Sequence, residues 1–190
     1  MLDKKFIKKI AQTYADYDAA RREVIKVAGD ALALSKKAIF AYHRGEAKDG
    51  DKTLDEAERG LASLDKLMDA NVGLDFEGSF RAALEEYVEA RLFGLYIRGK
   101  TLGEVKSNFI DEDIYLGGLM DCTGEMVRHA VLAATAGKRD EVLRAKDAVT
   151  EIAGEIIHFN MTGSLRQKYD QLKSNLHKLE EMAYDLSLRK

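Results

Sequence analysis

Apolar residues recur every three or four positions along most of the chain, which is the period of an amphipathic α-helix. The first such pattern extends from Asp3 to about Arg44, and Gly29 weakens it locally without ending it. A helix of about 40 residues would be about 60 Å long, which exceeds what a compact domain of this size needs. We therefore expect this first helix to extend along neighbouring subunits.

Turn and capping signals divide the remaining pattern into further helices. A polar stretch over residues 45–51 is expected to be a turn, and a capping-box pattern at Thr53 is expected to start the second helix. A short helical or irregular connection is expected from Thr101 onward. The helices predicted after the first one cover residues 53–70, 76–98, 111–137, 139–159 and 164 onward.

The last predicted helix has the most regular pattern of the chain. Apolar positions there alternate steps of four and three, which is a seam typical of left-handed helix packing: Leu165, Tyr169, Leu172, Leu176, Leu179, Ala183 and Leu186. The seam fits the interior of the bundle and a contact between subunits equally well. No strand alternation appears, so the sequence predicts one all-α domain over residues 1–190, a helical bundle of about six or seven long helices.

Composition narrows the class of protein. Proline is absent, 46% of the residues are hydrophobic and 33% are charged, which is typical of long amphipathic helices and not of a disordered chain. The one cysteine, Cys122, excludes an intramolecular disulfide and a cysteine-based metal cluster. The first residues form no apolar signal core, and no stretch approaches the roughly 20 apolar residues of a membrane span. We expect a cytoplasmic protein with no membrane partner.

Charge is distributed unevenly along the chain. Residues 1–44 contain ten Lys and Arg against five Asp and Glu, a balance of +5, so the rest carries −3 − 5 = −8. A basic segment joined to an acidic body can bind phosphate on one surface and metal at another. The candidate phosphate contacts, which become RNA contacts if the partner is RNA, are Arg21, Arg22, Lys26, Lys36, Lys37, His43 and Arg44. For any one of them, a solvated helix face explains the charge about as well.

Two acidic pairs lie within strongly apolar helical runs. Helical spacing places Glu86 and Glu89 on one face of the third predicted helix, and Asp121 and Glu125 on one face of the fourth. Buried carboxylates are costly unless they are paired, protonated or bound to a cation. Two such pairs that face each other are one way to hold a divalent metal, although paired acids on a helix are more often solvated or salt-bridged.

A carboxylate-bridged di-iron bundle is a competing interpretation of these acids. Such a centre needs Glu-x-x-His pairs on two helices. The two acidic segments contain none, and Glu125 and His129 are four residues apart. We therefore rank the di-iron centre below a site for Mg²⁺ or Mn²⁺.

Two consecutive glycines, Gly117 and Gly118, lie inside the fourth predicted helix. A glycine within a helix costs about 1 kcal/mol relative to alanine. The pair therefore indicates a place where the backbone of a neighbouring element comes close.

Several segments together resemble the translin and translin-associated factor X (TRAX) family. Segments 35–44, 86–90, 115–118 and 121–128 look like the factor X patterns, whereas 164–170 and 184–189 look more like translin itself. The similarity covers nearly the whole chain with order and spacing kept. A factor X-like centre with a translin-like end resembles a one-component prokaryotic, archaeal relative.

The resemblance implies a function as well as a fold. It implies an all-α subunit that assembles into a hollow oligomer, typically a homo-octamer, which binds RNA inside. It also implies an Mg²⁺- or Mn²⁺-dependent endoribonuclease on single-stranded RNA, in which Glu86, Glu89 and Asp121 hold metal and Glu125 is a ligand or orients the attacking water. The alternative within the same family is a translin-type protein that binds single-stranded RNA or DNA without cutting it.

Overall fold

The computed structural model describes residues 1–188 and confirms the predicted all-α fold class. Within that range the chain forms seven α-helices and one 3₁₀ turn over Leu74–Phe76. The helices are α1 (Lys4–His43), α2 (Ala47–Ala62), α3 (Asp65–Ala70), α4 (Gly78–Ile97), α5 (Glu112–Thr135), α6 (Arg139–Ile156) and α7 (Gly163–Leu188). Residue 189, which ends the translin-like motif, lies outside the described range.

The first helix has the predicted length, but its two halves have different surroundings. From Val24 onward α1 buries a stripe against α2 and α4 that includes Ala28 and Ala31. Residues 1–16 are all exposed, and Phe6 and Tyr14 in that half are 57% and 70% exposed. The apolar pattern of the first turns therefore lies outside the core of this chain.

The turn predicted over residues 45–51 is wrong, because α2 begins at Ala47. Only Gly45, with a φ of 78°, has the left-handed backbone of a turn. Gly50 is instead a buried helical residue whose missing side chain makes room for the ring of Tyr42, since a Cβ there would lie 2.4 Å from the Tyr42 Cε1. Asp51 next to it accepts a 2.9 Å hydrogen bond from the Tyr42 hydroxyl. The chain therefore reverses over residues 44–46, whereas Gly50 and Asp51 serve the packing of α2 against Tyr42.

The structure divides the second predicted helix, residues 53–70, into two helices. It ends at Ala62, and the short α3 follows after Ser63, whose hydroxyl donates a 2.6 Å hydrogen bond to the Gly60 carbonyl. The predicted stop at 71–73 is confirmed, with Gly73 at a φ of 94°. The connection over 101–110 is irregular, and the other helix ends agree with the predicted ones to within three residues.

The apolar seam of the last helix belongs to the interior of this chain. Leu172 and Leu179 are fully buried, and the other leucines of the seam pack against the same core, because α7 lies on α5 and α6. Asn175 also joins α7 to α5, since its amide donates a 2.9 Å hydrogen bond to the buried Thr123 hydroxyl. This contact fixes the position of α7 next to the acidic pair of α5.

The glycine pair in α5 is a point of close helix contact, as predicted. A Cβ on Gly117 would lie 2.1 Å from the Glu85 Oε2, and one on Gly118 would lie 2.7 Å from the Val88 Cβ. Both neighbours belong to α4. The two helices that carry the acidic pairs therefore pack closely there, with the side chains of Glu85 and Val88 directly against the α5 backbone.

No helix within residues 1–188 is long and apolar enough to cross a membrane.

We expect Gly118→Ala to lower the free energy of unfolding by about 1–3 kcal/mol, because the added methyl would overpack a site with no room for it. The Glu85 backbone oxygen, 2.8 Å from the new Cβ, cannot move aside as a side chain could. Gly154→Ala on the exposed face of α6 is the matched control, since nothing lies within 4 Å of its Cβ position. That variant should raise the free energy of unfolding by up to about 1 kcal/mol. Denaturant titration of the two variants gives the comparison, and equal effects would contradict the close contact.

Candidate functional site

The four acids predicted as a site come together in the fold. Glu86 and Glu89 lie on α4, Asp121 and Glu125 lie on α5, and all four are partly buried. Glu86 and Glu89 are each close enough to Asp121 and Glu125 for those charges to act on their pKa values. The apolar residues on either side of each acid form the core between the two helices, so the carboxylates are held at its edge. We call these four residues the acidic cluster.

Glu89 has the most unfavourable position of the four. Burial, together with the charges of Glu86, Asp121 and Glu125, raises the pKa of Glu89 to about 8. Its carboxylate forms no ion pair within residues 1–188. A carboxyl group in such surroundings is neutral at pH 7 unless a cation comes close to it.

Each of the other three acids is held by a cation. Burial raises the pKa of Glu86, although the ammonium of Lys36 on α1, 3.7 Å from its Oε2, acts against this. Asp121 pairs with Lys168 on α7. Glu125 accepts a hydrogen bond from the Nε2 of His43, and the Arg128 guanidinium lies 3.5 Å from the same carboxylate oxygen.

The pair of Glu125 and His43 changes the expected behaviour of Glu125. Burial alone would raise the pKa of Glu125, but the hydrogen bond from His43 and the charge of Arg128 hold that pKa below its usual value. Glu125 is therefore ionised at neutral pH, whereas Glu89, on the facing helix, is not. Two carboxyl groups in one cleft thus differ in protonation because of their neighbours.

Sequence reasoning missed two members of the site, Lys168 and Glu85. The Lys168 ammonium lies 2.8 Å from the Glu85 Oε1 and also contacts the Asp121 carboxylate, so it joins α7 to both acidic helices. Burial would lower the pKa of Lys168, but its two carboxylate partners raise it above the usual value. The sequence did contain a signal for Lys168, because this lysine directly precedes Tyr169 of the apolar seam. It therefore lies next to the face of α7 that packs on α5.

The donor set fits a hard divalent cation, although the ligands are not yet arranged around one. Carboxylate oxygens are the ligands that Mg²⁺ and Mn²⁺ prefer. Among residues 1–188, no group of three His, Cys, Asp or Glu side chains is positioned to hold a metal ion as it stands. Glu86, Asp121 and Glu125 are instead each in contact with a basic side chain.

The predicted RNA contacts lie in three different surroundings. Helical periodicity places Arg22, Lys26, Lys37 and Arg44 on one exposed face of α1, opposite its buried stripe. Arg21 lies off this face, on the side of α1 that carries the buried stripe, and forms a 2.6 Å ion pair with Glu77. Lys36 points to Glu86 at the edge of the acidic cluster. We call the four residues of the exposed face the basic face of α1.

His43 belongs to the acidic cluster and not to this surface. Its side chain is only 4% exposed, and its ring packs against Phe93 with a centroid distance of 4.7 Å. Cys122 is fully buried, and burial raises the pKa of its thiol. One Glu-x-x-His spacing does occur, at Glu155 and His158, but both residues are exposed at the end of α6.

The fold and the site together define an all-α protein in which four helices, α1, α4, α5 and α7, surround a cluster of carboxylates. The family model described as Translin family matches residues 19–190 of this sequence. The chain therefore belongs to the Translin family.

Curated relatives are similar over most of the chain. Translin from Gallus gallus is 29% identical over 144 residues, which cover 68% of this chain and 63% of the chicken protein. The translin-associated protein X homolog of Schizosaccharomyces pombe is 28% identical over 194 aligned residues, 89% of this chain and 81% of the yeast protein. The chain thus spans about 63% of the length of the chicken translin that it matches.

Solved structures share the fold at low identity. The crystal structure of AfC3PO superposes with a TM-score of 0.89 at 20% identity, covering 97% of this chain and 98% of that one. A structure described as a complex of AfC3PO with duplex RNA gives 0.87 at 21% identity, covering 97% and 99%. These likenesses establish the arrangement of the helices.

We expect Glu89→Gln to stabilise the metal-free protein at high pH. The pKa of Glu89 is about 8 in the folded state, above the value of about 4.3 for an unfolded chain. The folded state therefore binds more protons between these values, and stability falls as pH rises from about 4.5 to 8. Glutamine does not titrate, so the variant should gain about 2–4 kcal/mol at pH 9 relative to its effect at pH 4.5.

Glu125→Gln is the control of opposite sign for this experiment. The pKa of Glu125 is held low in the folded state, so its charge contributes stability at neutral pH that is lost as pH falls. The variant should therefore be less stable than the parent protein at pH 7. Denaturant titrations in EDTA from pH 4.5 to 9 measure both effects. If Glu89→Gln and the parent protein showed the same pH slope, Glu89 would not be buried among like charges.

Proposed function

We propose that this protein is a metal-dependent endoribonuclease of a reducing cytoplasm, which hydrolyses single-stranded RNA inside a homo-oligomeric shell. The proposal rests on one observation: the partly buried Glu89 carboxyl group shares a cleft with three other acids and forms no ion pair among residues 1–188. A divalent ion bound in this cleft would favour the ionised form of Glu89 and balance the charges of the other acids. Membership of the Translin family and the likeness to a protein solved with RNA support nucleic acid as the substrate.

The four acids would have different roles. Glu86, Glu89 and Asp121 would supply oxygen ligands to Mg²⁺ or Mn²⁺. When bound, the ion would neutralise charge on the phosphoryl oxygens and make water a better nucleophile. Glu125 is ionised and is held in place by His43, so its carboxylate can accept a hydrogen bond from the attacking water and orient it.

RNA would reach the acidic cluster along α1. The basic face of α1 carries its cations on the same helix as Lys36 and His43, both of which contact the cluster. Contacts from these side chains to phosphate give affinity that depends on salt and little on sequence. A strand bound there would follow the helix toward the carboxylates.

Self-association would complete the site. The first four turns of α1 expose Phe6, Ile7, Ile10 and Tyr14, which have no core of their own chain to cover them. A homo-octamer in which these turns lie along a neighbouring subunit would cover them and enclose the RNA. Size measurement on the purified protein tests the subunit number directly.

A translin-type protein that binds single-stranded RNA or DNA without cutting it is the second candidate. One observation favours it, since three of the four acids already have a cation beside them: Lys36 at Glu86, Lys168 at Asp121 and Arg128 at Glu125. In that case the acidic cluster would have a structural role. An assay for RNA cleavage distinguishes the two functions.

We expect the purified protein to cut end-labelled single-stranded RNA internally with Mn²⁺ or Mg²⁺ and not with EDTA. Glu86→Ala/Glu89→Ala should reduce the rate by at least about 100-fold, because it removes ligands and not supporting residues. Glu151→Ala/Glu155→Ala, which removes two exposed acids of α6, is the matched control and should cut normally. Cleavage of a duplex of the same sequence, measured in parallel, shows whether the protein prefers single-stranded or double-stranded RNA. Undiminished cleavage by the α4 variant would reject this site, and binding without any cleavage would favour the second candidate.

Charge reversal on the basic face of α1 should weaken RNA binding. Each lost phosphate contact lowers the slope of log affinity against log salt by about 0.7 for single strands, so Lys26→Glu/Lys37→Glu should lower it by about 1.4. Lys66→Glu/Lys178→Glu gives the same change in net charge at exposed positions on α3 and α7. Fluorescence anisotropy of labelled RNA over a salt series measures both. Equal slopes for the two variants would show that the basic face of α1 does not contact RNA.

A further inference from the structure

Lys168 holds a central position in the acidic cluster. Its ammonium contacts the Asp121 carboxylate on α5 and lies 2.8 Å from the Glu85 Oε1 on α4. Its charge also acts on Glu89, whose pKa it lowers against the larger effects of burial and the other acids. One side chain from the last helix thus balances acids on both of the helices that carry the cluster.

The two other basic side chains that contact the acidic cluster from outside its own helices, His43 and Lys36, differ from Lys168 in how firmly they are held. His43 is 4% exposed and packed against Phe93, so its ring is fixed. Lys36 is 56% exposed and 3.7 Å from Glu86, a distance at which a surface ion pair contributes little. Lys168 lies between these extremes, with 23% of its side chain exposed.

The structure also provides space for Lys168 to move. A cavity of about 390 Å³ adjoins it, lined by Arg81, Glu85, Ser164 and Leu165 among others. The Arg81 guanidinium is already bound by Asp111, at 2.8 and 3.2 Å, so it does not take the place of Lys168 on Glu85. A flexible four-carbon side chain could therefore leave Asp121 for this cavity without any change in the core.

We propose that Lys168 is the exchangeable counter-ion of the acidic cluster, which holds Glu85 and Asp121 in the metal-free protein and is displaced when a divalent cation binds. This inference rests on the proposed metal-dependent function. It explains why the carboxylates are near one another and yet not grouped around a common point. Lys168 sets the affinity for the ion, because its contacts with Asp121 must be broken before that carboxylate becomes a ligand.

The direct test is Mn²⁺ binding to metal-free protein by isothermal titration calorimetry, which needs no RNA and no cleavage. Lys168→Met keeps the length and apolar stem of the side chain but removes its charge. We expect it to bind Mn²⁺ about tenfold more tightly, since a like charge next to the ion is lost. Lys168→Arg should bind no more tightly than the parent protein. Lys173→Met is the control, because Lys173 is on the same helix, pairs with Asp170 and does not reach the cluster.

Thermal unfolding supplies a second measurement. In EDTA, Lys168→Met should unfold at a lower temperature than the parent protein, because Asp121 and Glu85 lose their cation. Saturating Mn²⁺ should raise its melting temperature by more than it raises that of the parent. A purely structural lysine would give the same loss of melting temperature with and without Mn²⁺, and that result would overturn the inference.

The outcomes separate this inference from the proposed function. Equal or weaker Mn²⁺ binding by Lys168→Met, in a parent protein that binds Mn²⁺, overturns the exchange and leaves the nuclease proposal in place. Binding by the variant alone supports Lys168 as the competing cation and rejects a metal-dependent reaction in the parent protein. Absence of Mn²⁺ binding in both overturns the two proposals together.

Discussion

Contact between α4 and α5 at Gly117 and Gly118 is the constraint on which the rest of the structure depends. Because α5 has no side chain at these two positions, α4 packs closely on its backbone, and the carboxylates on their facing turns are drawn into one cleft at the edge of the core. Like charges at such distances are unfavourable, and burial increases the cost since water no longer screens them. Any larger residue at the glycine pair would force the helices apart and reduce the repulsion. The chain instead keeps the close contact and compensates the charges with cations from other helices.

The basic side chains that pair with these acids come from distant parts of the sequence. Lys36 and His43 come from α1 and Lys168 comes from α7, so the first and last helices both have a role in the electrostatics of α4 and α5. The buried hydrogen bond between Asn175 and Thr123 fixes α7 against α5, two turns of α7 beyond Lys168. Glu89 pairs with none of these side chains, and burial among the other acids keeps its carboxyl group neutral at pH 7. A residue that lowers the stability of its own fold in this way is typical of a site maintained for binding or chemistry.

The pattern of apolar residues and glycines predicted those parts of the fold that are determined by residues close together in the sequence. The period of the apolar residues gave the helices and the seam of α7, and the glycine pair indicated the close contact, because each is a property of a single helix. The segment over 45–51 was misjudged because Gly50 and Asp51 have the composition of a turn. Their actual partners, Tyr42 and Arg98, lie on other helices. The same limit applies to the site. Acid spacing identified Glu86 and Asp121, whereas the ion pair of Lys168 with Asp121 requires the packing of α7 on α5.

The position of the cations also explains how RNA binding and the acidic cluster could be coupled. Lys36 and Lys37 are adjacent on α1, yet the helical turn of about 100° per residue directs the first to Glu86 and the second to solvent. Phosphate bound on the basic face of α1 would therefore lie within reach of Lys36 and compete with Glu86 for its ammonium. A carboxylate released in this way, like one released by Lys168, adds negative charge to the cluster and strengthens its attraction for a divalent ion. Substrate and metal would then favour each other's binding, because both replace ion pairs that hold the acids in the empty cleft.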